Sequence, residues 1–128
     1  MYRSVIISLF LLLISFSSYS HEMTPTYPRF EPSFMDGLLV TEMEIFNKRN
    51  DVKYYEIGVF DKDFQSIPFV SSFTVYEVDY LKKIKFEVYV RQKDEPNITY
   101  ICSRSRVLEQ KVSNTSVTST ICSKIKRK

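Results

Sequence analysis

The chain has 128 residues, 44% hydrophobic and 15% aromatic, and its 18 Lys and Arg against 15 Asp and Glu give a net charge of +3. So small an excess does not argue for nucleic acid or an acidic polymer as partner. One histidine and two cysteines argue against a His-based metal cluster, a Ser–His–acid triad or a Cys–His pair.

The chain begins as an address. Arg3 precedes "VIISLFLLLISF", Val5 to Phe16, an apolar run of signal-peptide length and too short for a comfortable membrane span. Ser18 and Ser20 are small residues before a cut expected ahead of His21. Residues 1–20 are therefore expected to be a signal peptide and 21–128 one exported domain, soluble in the periplasm or outside the cell. Losing Arg3 leaves the mature part 17 basic residues against 15 acidic. His21, as the first mature residue, has no second histidine to complete a copper site, and is read as a solvated terminal residue. No metal and no cofactor are expected.

Residues 21–37 contain three of the five prolines and the turn pair Asp36-Gly37, which predicts an extended, edge-like lead-in. Alternation then dominates. Leu39, Thr41, Met43 and Ile45 share one face of "LLVTEMEIFN", with Glu42 and Glu44 on the other. Tyr55, Ile57 and Val59 fall together, and in "KIKFEVYVR" Ile84, Phe86, Val88 and Val90 oppose Lys85, Glu87 and Tyr89. Period-two patterns predict half-buried antiparallel strands. The segments 69–78, 98–107 and 116–125 complete six strands plus the lead-in, separated by polar turns at 47–51, 61–68 and 91–97. Alanine, the best helix former, is absent. About seven short strands in one domain predict an all-β, immunoglobulin-like antiparallel sandwich.

The two cysteines, Cys102 and Cys122, most simply form one bridge in an oxidising compartment. If 98–107 and 117–125 are antiparallel neighbours, paired positions sum to 224 and the two residues face each other. A loop of about twenty residues closed in this way stabilises by roughly 3 kcal/mol.

The chemistry-bearing residues point away from catalysis. Glu42 and Glu44 share an outward strand face, Asp61-Lys62-Asp63 reads as a turn, and Gly37 and Gly58 lie too far apart for a phosphate loop. A non-enzymatic protein is expected. Asn97-Ile98-Thr99 and Asn114-Thr115-Ser116 match the glycosylation pattern, which matters only in a eukaryotic secretory route.

Three stretches resemble the N-terminal immunoglobulin-like domain of periplasmic pilus-assembly chaperones. They are "PRFEPSFMDGLLVTEMEIFNKRNDVKYYEIGVF", "IPFVSSFTVYEVDYLKKIKFEVYV", and "TYICSRSRV" followed after a loop by "ICSKIKRK". In that family a basic pair anchors the terminal carboxylate of a pilus subunit, and the last strand completes the subunit's open sheet. The resemblance implies Arg29 and Lys126 as anchors, with Val117, Ser119, Ile121 and Ile125 on one face of the donor strand. The chain departs from the family where Ser71-Ser72 replaces tandem prolines and where Ser119 and Ser123 interrupt the apolar face. A two-domain cleft is not expected within these residues. The resulting expectation is a module that binds another exported protein, a pilus-like subunit or envelope protein, by strand-edge contact, with no stable membrane insertion. The alternatives are a periplasmic inhibitor, a phage-encoded exclusion factor, or a structural part of a surface or conjugation apparatus.

Overall fold

The computed structural model describes residues 20–107 and 118–127. The expected signal segment up to residue 19 and Val117 lie outside the described residues. Among those described no helix is long and apolar enough to cross a membrane.

The alternating stretches form the centre of two antiparallel sheets. In the first, β3 (Leu38–Phe46) pairs along nine residues with β6 (Lys83–Arg91), from Leu38 opposite Arg91 to Phe46 opposite Lys83. Its other edge takes two short strands, β1 (Glu22–Thr24) and β2 (Glu31–Pro32). The second sheet has the order β5-β4-β7-β8, with β4 at Tyr54–Phe60, β5 at Val75–Glu77, β7 at Tyr100–Arg106 and β8 at Thr120–Lys124. A 3-10 turn at Glu95–Asn97 leads into β7. The fold is all-β, an immunoglobulin-like sandwich.

Alternation sends the expected residues inward. Met43, Ile45, Tyr55, Ile57, Val59, Phe86, Val88 and Val90 are all buried between the sheets. Such a core is the main favourable term in folding, and truncating a side chain like Ile45 to Ala costs about 2–5 kcal/mol.

Two segments differ from the sequence reading. The lead-in is two short strands with a crossing between them: Thr26 and Pro28 leave the first sheet and accept hydrogen bonds from Lys124, the last residue of β8, and from Lys126 just beyond it. Proline lacks an amide, so this stretch suits an edge and cannot continue one central ladder. Residues 69–78 are likewise broken. Val70 bridges to Tyr89 of β6, whereas β5 pairs with β4 in the opposite sheet. Between them the Ser71 hydroxyl donates to the Glu87 carbonyl and meets the Tyr76 hydroxyl, so a side chain occupies the place of a ladder bond.

The loop at 47–51 is polar yet internal at its start. Asn47 is fully buried; its amide donates to the carbonyls of Val52 and Val78, and its oxygen accepts from the Tyr55 hydroxyl and the Arg49 amide. Every polar site of that amide side chain is used, which is the condition for burying it.

Candidate functional site

The last hairpin carries the site. β7 and β8 pair so that Tyr100 faces Lys124, Cys102 faces Cys122 and Arg104 faces Thr120, each pair summing to 224 as the sequence reading requires. Cys102 and Cys122 form the disulfide, with Cα atoms 4.0 Å apart. That closeness suits the narrow, non-hydrogen-bonded kind of antiparallel pair, in which backbone amides point away from the partner strand. Neighbouring bonds agree. Ile125 donates back to Thr99 and Ser119 accepts from Ser105, whereas the amides of Lys124 and Lys126 point outward to Thr26 and Pro28.

The outer edge of β8 is thus divided. Its C-terminal part is covered by the crossing segment, whereas the outward backbone groups of Thr120 and Cys122 have no hydrogen bond to a described strand, although β1 of the other sheet passes close to β8. An uncovered strand edge offers donors and acceptors to another chain.

Arg29 and Lys126 come together at the covered end. The Lys126 amide bonds the Pro28 carbonyl at 2.8 Å on a segment running parallel to it, so Lys126 lies beside Arg29. Both residues are exposed, and neither side chain has an ion pair among the described residues. Arg127 is different. It bonds the Glu95 carboxylate at 3.0 Å and the carbonyls of Glu95 and Ile98, fastening the end of the chain to the 3-10 turn.

The apolar residues assigned to the strand's donor face are turned into this sandwich. Ile125 is buried in the core and Ile121 is half-buried against it. The serines on that face have a reason of their own. Ser123 is buried, and Ser119 belongs to a polar cluster built around His21.

His21 is not the solvated residue that the sequence suggests. It is 1% exposed, and its ring meets the Ser103 hydroxyl at 2.7 Å, the Ser103 carbonyl at 3.3 Å and the Ser119 hydroxyl at 3.2 Å. The ring also packs on Tyr55, with centroids 4.5 Å apart. Burial pulls its pKa down to about 4, with the nearby Arg49 charge acting in the same direction and the Ser103 hydrogen bond opposing. The imidazole is therefore neutral at pH 7 and ties the residue just before β1 to both arms of the last hairpin. Burial also lifts the Tyr55 hydroxyl to about 12. The sequence signal for this cluster was faint: serines at 103, 105, 119 and 123 on faces that alternation turns inward.

Among the described residues no group of three or more His, Cys, Asp or Glu side chains is placed to hold a metal ion. No family model matches the chain, and no curated protein matches it in sequence. Solved structures match it in fold. The crystal structure of the E. coli chaperone DraB aligns with a TM-score of 0.63 at 18% identity, covering 84% of this chain and 53% of that one. The likeness establishes the fold. The sandwich expected from the sequence thus has a counterpart among solved structures, and the chain spans about half the length of the chaperone it matches.

Proposed function

We propose that this chain is an exported, non-enzymatic module that binds and shields another exported protein, a pilus-like subunit or an envelope protein, through the uncovered edge of β8. Arg29 and Lys126, adjacent at the other end of that strand, would receive an anionic group of the partner such as a terminal carboxylate. Two desolvated charge-assisted bonds to a carboxylate fix register as well as adding affinity. One observation carries the reading: a half-covered edge strand ends beside two exposed cations that have no ion pair among the described residues. The chaperone-like sandwich supports it, and the signal-like run with a disulfide supports export to an oxidising compartment.

The test uses the exported protein and an aggregation-prone secreted subunit captured with it from its native host. Light scattering during dilution of the unfolded subunit should fall at stoichiometric amounts of module. Thr120→Pro removes the outward amide without touching the bonds to β7, and should abolish protection; Arg29→Ala should weaken it at least tenfold. Stoichiometric inhibition of a folded enzyme, unaffected by either change, would favour the inhibitor reading instead.

A further inference from the structure

The outer face of the second sheet carries a depression that the strand edge alone does not explain. Register places Gly58, Cys102 and Cys122 in one row across β4, β7 and β8. Glycine has no side chain and the two sulfurs are bonded to each other, so nothing projects from this row. The rows on either side do project: Glu56, Arg104 and Thr120 on one, Phe60, Tyr100 and Lys124 on the other. The Phe60 ring leans back over Gly58, where an added Cβ would come within 2.6 Å of it. The result is a depression of about 210 Å³ floored by Gly58 and the disulfide and walled by Phe60, Phe64 and Arg104.

Phe64 is held there at a cost. The Asp61 carboxylate accepts the amides of Asp63 at 2.8 Å and Gln65 at 2.9 Å, and the turn so formed sets Phe64 at φ 58°, in the left-handed region that bulky residues avoid. Its ring stacks on Tyr100 with centroids 4.6 Å apart and planes within 2°, yet 56% of the residue is exposed. A strained turn thus presents an aromatic face to solvent at the wall of a concave site.

Charge distinguishes this face from the opposite one. On the first sheet Lys83 lies near Glu44 and Lys85 near Glu42. On the second, Arg106 meets Glu56, but Arg104 and Lys124 have no ion pair among the described residues. These two cations flank the row that holds the disulfide.

We propose that the depression receives an aromatic side chain from an extended, acidic segment of the partner protein, docked along the free edge of β8. This rests on the edge reading above and adds the partner's chemistry. A strand added beyond Thr120 and Cys122 continues the rows of the sheet, so its residue opposite Cys122 projects onto the outer face beside the disulfide. Residues two positions to either side share that face and continue the Arg104 and Lys124 rows, where carboxylates complete the charge. The pattern is acidic, any, aromatic, any, acidic.

The probe is a set of fluorescein-labelled nine-residue peptides with blocked ends, titrated against the disulfide-bonded protein and read by anisotropy at low salt. The first carries Phe at the centre with Glu two positions to each side; the second has Ala for Phe, the third Lys for both Glu. The first should bind at least tenfold more tightly than either control. Phe64→Ala and Arg104→Glu should each weaken it about tenfold, and Arg104→Glu should improve binding of the Lys peptide. Thr120→Pro should abolish binding of all three. If the Phe and Ala peptides bind alike and only Thr120→Pro matters, the edge reading stands and this proposal falls. No binding of the Phe peptide also overturns it, with client protection then judging the edge separately. Self-association lost in Phe64→Ala would assign the depression to a second copy, and would equally overturn it.

Discussion

Replace His21 by Gln, and the stability of this sandwich should lose most of its dependence on pH above the carboxylate range. His21 is the only histidine in the chain. Its imidazole, held between Ser103, Ser119 and Tyr55, binds a proton in the fold only near pH 4. The unfolded chain binds it near the ordinary 6.5. The folded value is the lower one, so stability is complete above pH 6.5 and falls as pH drops from there through about 4. The gap corresponds to about 3 kcal/mol, of which about 2 kcal/mol is lost between pH 7 and 4.5. For a domain whose total stability is about 5–15 kcal/mol this is a large fraction. Urea titrations followed by tyrosine fluorescence and circular dichroism at pH 7, 6, 5 and 4.5 measure it, the chain having nine Tyr and no Trp. The difference between wild type and His21→Gln should shrink by about 2 kcal/mol over that range, because carboxylates common to both cancel. A difference that stays constant with pH would refute a buried neutral imidazole.

Three further outcomes follow from the same contacts. Replacing Cys102 and Cys122 together by Ser should lower stability by roughly 3 kcal/mol in the chain-entropy account, read as a lower urea midpoint. Asn47→Ala strands the Tyr55 hydroxyl and two buried carbonyls, and should cost about 2–4 kcal/mol in the same assay, whereas removing a surface polar group costs little. Arg29→Ala, at an exposed residue, should leave the urea midpoint within about 0.5 kcal/mol of wild type while client protection drops; a joint loss of both would make Arg29 structural.

Much of the architecture is legible in the sequence because alternation reports burial directly. The faces of β3, β4 and β6 follow from it, and the register of the last hairpin follows from requiring two cysteines to meet. What is not legible depends on partners distant in sequence. Nothing local distinguishes a solvated His21 from one bonded to Ser103, 82 positions away. Asn47 looks like a turn residue until the Val78 carbonyl arrives beside it. The break at Ser71 needed the Glu87 carbonyl, and the crossing at Thr26 and Pro28 needed the end of β8. For the site, the disulfide partners could be named, but the inward turn of Ile121 and Ile125 could not. Alternation divides a strand's faces without saying which one meets the core.

The edge of β8 is best tested by amide hydrogen exchange of the protein, alone and saturated with a client of the kind proposed. The account predicts that exchange slows at Thr120 and Cys122, whose amides point outward to no described strand, and changes little at Lys124 and Lys126, already bonded to Thr26 and Pro28. A bound client that leaves Thr120 and Cys122 exchanging as before would contradict it.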